Sequence, residues 1–355
     1  MRTLLKLSAL ALMCSASFVH ADTHADDARG HFLDPNVLRA LPGAAQSPFM
    51  RSSPVLAGVA DFGPVTMERS GTYEIRSAST PTADGSLIIV ESDDGGFVAL
   101  VDTPDRQGTV VGASDGSQIF IEAPENDYMQ PDTAPAPETA TLQTRTADTD
   151  ASGVNVIDLL AGFSQSAADR VKDPRAYALA QVESVNLRLR NSQVANARLR
   201  LVGIQVIEEN FPTSGGTLSK VKTLFAEGMK EFGADLVAAY SNAPSGNSAG
   251  GWGYTPGRYS VQQVRTSGAF RHEIAHNVGG SHCNNGKNSY KFGYSNGKSK
   301  TALCGNKVAY YSTPLLSDEH GLPLGDSAKA DMARLWREQA AKMSSYAQAV
   351  VPIDD

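Results

Sequence analysis

The stretch HEIAHNVGGSH, residues 272–282, holds three of the chain's seven histidines. His272 and His276 are four apart, so on a helix they lie one turn apart on one side. Phe270, Ile274 and Val278 fall on roughly the opposite side and could be buried while the imidazoles face a cleft. Both rings can then reach one ion. Gly279 follows His276 by three residues, where a helix that must stop sharply uses the left-handed conformation open to glycine. The turn brings His282 back as a third ligand. Three neutral imidazoles leave the fourth tetrahedral position open, which is the arrangement of a catalytic zinc rather than a structural one. Glu273 need not be a ligand and is placed to take a proton from activated water. The expected cofactor is therefore one Zn2+ ion, with His272, His276 and His282 as metal ligands and Glu273 as the catalytic residue.

The elements around this segment alternate. NVIDLLAGF reads as a strand. Asp173 before Pro174 is an N-cap ahead of a proline at the first helical position, and Ala178, Val182, Val185 and Leu189 continue at helical spacing. ARLRLVGIQVI is a second strand, and Leu218, Val221, Phe225, Met229 and Phe232 mark a second helix. ADLVAAY is a third strand and YSVQQV, 259–264, a fourth. This order predicts an α/β or α+β domain over 153–355 with a twisted, mainly parallel sheet. Ahead of it, SLIIVES and FVALVD flank a turn at 93–96, and TVVGA and QIFIEA flank another at 114–117, so 22–123 reads as a small, mainly β module with a loosely structured first thirty residues. Between them, 124–152 is rich in Pro, Thr, Ala and Asp and reads as a linker.

Charge divides the chain. Residues 1–152 carry 9 Lys+Arg against 21 Asp+Glu, and residues 153–355 carry 22 against 17. The net charge of -7 argues against a nucleic-acid partner. An acidic module joined to a mildly basic domain fits either an intramolecular partner or an acidity that only aids solubility. Residues 1–21 begin with Arg2 and Lys6, continue with a short apolar run and end in VHA, the pattern of a cleaved secretory signal. No stretch is apolar enough for stable membrane insertion. Export leaves two cysteines, Cys283 and Cys304, and an even count in an exported chain suggests a disulfide.

The eleven-residue pattern H-E-x-x-H-x-x-G-x-x-H resembles that of the metzincin zinc metallopeptidases. GGWGYTPGRYSVQQV, YYSTP and LPLGDSAKADMARLWREQAAKMSSY resemble the surroundings in the adamalysin/reprolysin-like bacterial secreted branch. The resemblance covers about 153–350 and not the N-terminal module. It implies a twisted sheet over an active-site helix with a closing C-terminal helix, and a secreted monomeric zinc endopeptidase with Glu273 as general base. The strand near 259–264 would be the sheet edge that pairs with an extended polypeptide substrate, and 307–315 would help wall the primed-side pocket. Leu303, in TALCG, stands where the family has its turn methionine. Gly305 stands where some branches place a ligating tyrosine, so that role is not carried over; Tyr310 or Tyr311 could instead steady an oxyanion or merely pack in the wall. Residues 22–282 hold no cysteine, so an inhibitory N-terminal module would need another blocking group, such as an aspartate. A cut is expected in 141–150. The rival readings are a non-catalytic binding or adhesin module on the same fold, and a zinc amidase acting on non-peptide amides.

Overall fold

A computed structural model describes residues 65–80, 82–104, 106–124, 132–137, 145–242 and 249–353, with the backbone of 30–32. The expected signal segment at 1–21 lies outside the described residues, as do 125–131 and 138–144 of the expected linker. Seven strands form an antiparallel sheet: β1 (Gly30–Phe32), β2 (Thr66–Ser70), β3 (Tyr73–Ser79), β4 (Ser86–Ser92), β5 (Phe97–Asp102), β6 (Gln107–Gly112) and β7 (Gln118–Glu122), in the order β1-β7-β6-β5-β4-β3-β2. Both expected hairpins are present, β4 with β5 and β6 with β7. At the first turn Gly95 has φ +88° and Asp94 accepts the Gly96 N–H at 3.0 Å. β1 falls inside the stretch expected to be loose, because it extends the meander beyond β7.

The second sheet has the order β10-β9-β11-β13-β12-β8. Its first member in the chain is β8 (Thr133–Ala134), inside the expected linker. There follow β9 (Asn155–Ser164), α1 (Gln165–Val171), α2 (Pro174–Asn191) and β10 (Ala197–Ile207). Strands β10, β9, β11 (Leu236–Ser241) and β13 (Tyr259–Gln263) are parallel, as expected, while β12 (Gly251–Tyr254) is antiparallel to β13. The architecture is thus α+β with a mixed sheet. The expected helix through Leu218–Phe232 is instead three short pieces, α3 (Gly215–Leu218), α4 (Val221–Leu224) and α5 (Ala226–Phe232). Phe225, at φ -117°, interrupts the run. Leu218, Val221 and Phe225 are nonetheless buried against the sheet.

Asp173 caps α2, its carboxylate accepting the Ala176 N–H at 2.9 Å. One face of α2 meets the second sheet. The other meets the N-terminal sheet, whose Ile75, Ile88, Val90, Val98 and Leu100 share one core with Tyr177, Val182, Val185 and Leu189. Sandwiching explains why α2 buries polar Gln181, Glu183, Ser184 and Arg188 along with its apolar stripe. The chain then passes through α6 (Ala269–Asn277) and the short β14 (Ser281–Cys283), β15 (Phe292–Gly293), β16 (Thr313–Ser317) and β17 (Pro323–Leu324) to α7 (Met332–Met343). No helix among the described residues is long and apolar enough to cross a membrane.

One expectation about the sheet fails. Residues 259–264 do not form its edge: β13 lies between β11 and β12. Glycine-rich 250–253 does not read as a strand, since glycine packs no side chain in a sheet. Here the glycines are required. A Cβ on Gly251 would overlap the Glu273 carboxyl, and one on Gly253 would stand 3.0 Å from Glu273 Oε2.

Candidate metal centre

Helix α6 runs from Ala269 to Asn277, with Phe270, Ile274 and Val278 buried on its core side as their spacing requires. Gly279 takes φ +107°, and its N–H closes on the His276 carbonyl at 2.8 Å. The chain turns there and carries His282 back on β14. The disulfide between Cys283 and Cys304 anchors the residue next to His282, as the cysteine count suggests.

The three Nε2 atoms form a near-equilateral triangle: 3.1 Å for His272–His276, 3.1 Å for His272–His282 and 3.2 Å for His276–His282. A ring nitrogen either donates or accepts, so at most two of these three contacts can be hydrogen bonds. A central cation removes the conflict, because all three lone pairs can point at it. Tetrahedral ligands at about 2.0–2.1 Å from an ion lie about 3.3–3.4 Å apart, close to the observed triangle.

The fourth vertex is Asp132. Its Oδ2 is 3.1 Å from His272 Nε2, and its Oδ1 is 3.2 Å from His282 Nε2 and 3.5 Å from His276 Nε2. Asp132 Oδ1 is buried without a hydrogen-bond partner, as an oxygen aimed at a cation would be. The four residues can hold a metal ion. Burial would raise the Asp132 carboxyl, but the three imidazoles outweigh it and hold the group far below the ordinary carboxylate range. Burial pushes His272 down to about 4, with Asp132 pulling the other way, so the ring is neutral as a metal ligand must be.

Second contacts orient two of the rings. His276 Nδ1 stands 2.9 Å from the Gly280 carbonyl, which accepts its N–H and leaves Nε2 for the metal. The side-chain amide of Asn306 stands 2.9 Å from His272 Nδ1. Asn306 also accepts the Leu303 N–H at 2.9 Å. The turn at 301–304 therefore lies beside the histidines, with Leu303 fully buried at φ +66° and next to Gly280.

Glu273 is 1% exposed under β12, and its Oε2 has no hydrogen-bond partner. Burial, and then the charge of Asp132, raises its carboxyl well above the ordinary glutamate value. The expected open cleft over His272 and His276 is covered, because both imidazoles are buried beneath Asp132. Asp132 is held by its own backbone: its carbonyl accepts the Gly253 N–H at 3.0 Å, and the Ala134 carbonyl accepts the Thr255 N–H at 2.9 Å. β8 thereby becomes the outer strand of the sheet, parallel to β12.

Tyr311 packs at 5.4 Å against the Trp336 ring in the core and does not face the histidines. Tyr310 and Val308 line a cavity of about 200 Å³ together with Thr82, Asp318 and Leu324; no histidine of the cluster lines it.

No family model and no curated protein matches the chain. Among solved structures, a chain from a chaperone–substrate complex aligns with a TM-score of 0.51 at 21% identity, over 72% of this chain and 40% of that one. This chain thus spans well under half the length of that neighbour, and the likeness is one of fold. Metalloproteinase-II from Bacteroides fragilis aligns over 73% of this chain and 90% of its own, at 9% identity and a TM-score of 0.39. That superposition is too loose to bear on function.

Proposed function

We propose that the chain is a secreted zinc endopeptidase in a latent form, with His272, His276 and His282 as zinc ligands and Asp132 as the group that blocks the fourth position. The supporting observation is the near-tetrahedral set of three Nε2 atoms and one carboxylate, with distances of 3.1–3.5 Å that protons alone cannot reconcile. Zinc held there would polarise a peptide carbonyl and acidify water. Glu273 would take the proton of the attacking water on its carboxylate and pass it to the leaving amine. Its raised pKa belongs to a pocket closed by Asp132, whose charge is one of the two causes. An extended polypeptide would pair with the outer edge of β12 by strand addition, where β8 now lies. Leu303 would serve as the apolar floor in place of the family's methionine; such a swap costs under about 1.5 kcal/mol.

The edge strand and the blocking aspartate lie on one segment, 132–134, so latency and substrate exclusion have one cause in this reading. The N-terminal module is then the chain's own inhibitor, and the disulfide fits an exported protein. A cut near Arg145, which is exposed, lies just before the segment pinned by the Asp148 N–H to the Ser344 carbonyl.

The test compares the full chain with Asp132→Ala and Glu273→Ala, measuring zinc per chain and chelator-sensitive cleavage of an unfolded protein. One zinc per chain, little cleavage by the wild type and strong cleavage by Asp132→Ala are expected. Glu273→Ala should keep zinc, and added to Asp132→Ala it should abolish the cleavage that Asp132→Ala alone shows. An Asp132→Ala protein that binds zinc and cleaves no peptide would overturn the peptidase reading and favour a binding module or an amidase. Absence of zinc from all three would overturn the metal assignment.

A further inference from the structure

Behind the metal centre, two buried guanidinium groups share one carboxylate. Asp102 ends β5 of the N-terminal sheet. Its Oδ2 accepts from Nη2 of Arg188 on α2 at 3.0 Å and from Nη2 of Arg271 on α6. Arg188 is 1% exposed, Arg271 3% and Asp102 7%. Arg271 immediately precedes His272. Each arginine has one further bond, Nη1 to its own helix or the loop before it: Arg188 to the Ser184 carbonyl at 3.0 Å and Arg271 to the Ser267 carbonyl at 3.4 Å. The Nε of both is buried without a partner among the described residues. Among the described residues Asp102 is the only carboxylate paired with either of them.

Arginine keeps its proton at neutral pH. With the sheet docked, the two cations are offset by one anion; without it, both are left unpaired unless water enters. Losing one partner of a buried ion pair is among the most destabilising changes a protein can suffer. The contact around Asp102 is also broad. Ser77 on β3 bonds to Glu183 and Arg190 of α2, Asn191 donates to Ser79 at 2.9 Å, and the Ala309 N–H reaches the Ala83 carbonyl at 2.9 Å. Ile75, Ile88, Val90, Val98 and Leu100 close the apolar part.

We infer that α2 and α6 form a socket for the N-terminal sheet, keyed by Asp102 and separate from the Asp132 contact, so that the sheet remains bound as a non-covalent subunit after the chain is cut within 138–144. The socket goes beyond the peptidase reading and needs no metal. Such a cut alone leaves Asp132 tethered through 125–131 to a sheet that has not left. Release of the segment carrying Asp132 and β8 then requires a second cut ahead of Asp132, and the sheet outlasts both.

The experiment places the recognition sequence of a site-specific protease at 138–144 of the full chain, cuts it to completion and follows the two fragments by sedimentation, with and without excess chelator. The wild-type fragments should travel together at about 1 μM in both low and about 1 M salt, because a buried pair is poorly screened. Asp102→Asn should weaken their association by about 100-fold or more, and Asp102→Glu by less. Separation of the wild-type fragments at about 1 μM, or an Asp102→Asn affinity within about threefold of wild type, overturns the inference. Should Asp102→Asn fail to fold, the combination Asp102→Leu, Arg188→Met, Arg271→Met removes all three charges and should associate like the wild type. If that charge-free protein comes apart, unpaired arginine charge is not what weakens the docking of Asp102 variants, and the account given for the key is overturned. Association that persists in chelator separates the socket from the metal centre, whichever way the zinc assay falls.

Discussion

The side-chain amide of Asn306 stands 2.9 Å from His272 Nδ1 while its Oδ1 holds the Leu303 N–H at 2.9 Å. One side chain thus ties the first metal-ligand candidate to the turn beneath it. As placed, the amide Nδ2 can only donate to Nδ1, which leaves the ring proton on Nε2. To support a metal at Nε2 the amide must turn so that Oδ1 accepts the Nδ1 proton, and loss of such a ring N–H contact typically costs about 10–100-fold in metal affinity. Asn306→Ala should lower zinc affinity by that amount with little change in helix content, measured by competition with a chromogenic chelator. An unchanged affinity would show that the turn positions nothing.

Gly251 meets the Glu273 carboxyl so closely that an added Cβ would overlap it. Gly251→Ala should displace the carboxyl and lower kcat of the unblocked Asp132→Ala protein by about 100-fold, since a misplacement near 1 Å can cost that much. Zinc content should not change, as Glu273 is outside the ligand set. Loss of zinc along with activity would mean that the glycine supports the ligands instead.

The disulfide between Cys283 and Cys304 closes a loop with a sequence separation of 21. Replacing both cysteines by alanine should cost about 3 kcal/mol by loop-closure entropy. The thermal midpoint should fall by several degrees, and zinc affinity with it, because His282 is adjacent to the bridge. Calorimetry of the zinc-loaded protein in the absence of reductant checks this.

Asp235 gives a pH dependence away from the metal. It is 1% exposed, and its carboxyl accepts the N–H groups of Asp158 and Ala347, both at 2.9 Å. Burial nevertheless pushes it from an ordinary 3.8 to about 7. A raised folded-state pKa means stability that is fully present below pH 3.8 and lost as pH rises toward 7, about 4 kcal/mol in all. Asp235→Asn should abolish that loss. The difference in thermal midpoint between variant and wild type should therefore grow in the variant's favour from pH 5 to pH 7.5. A difference that stays flat would show that the buried carboxyl does not titrate in this window.

Much of this molecule is legible locally. The histidine helix follows from a spacing of four and an apolar stripe, and its end from Gly279; both depend on neighbours within a turn or two. The hairpins of the N-terminal sheet and the strands β9, β10 and β11 follow from short apolar runs between turn residues. The broken helix over 215–232 was not legible, because apolar spacing marks which side chains are buried and not whether the backbone between them stays helical. The edge of the sheet was misread for a related reason: glycines at 251 and 253 lower strand propensity, yet the carboxyl of Glu273, far along the chain, leaves room for nothing larger.

What the sequence alone determined was the histidine triad and the helix that carries its first two members, the neighbouring glutamate, the cysteine pair and the alternation of elements, since each rests on spacing along one segment. Asp132, Asn306 and the pairing of Asp102 with Arg188 and Arg271 were decided by the tertiary structure. Asp132 lies 140 residues before His272 in a proline-rich stretch with no period, and only the docking of β8 on β12 brings it to the histidines. Asp102 lies 169 residues before Arg271. A carboxylate acts on whatever charge lies within a few ångströms, and separation along the chain carries no record of that distance.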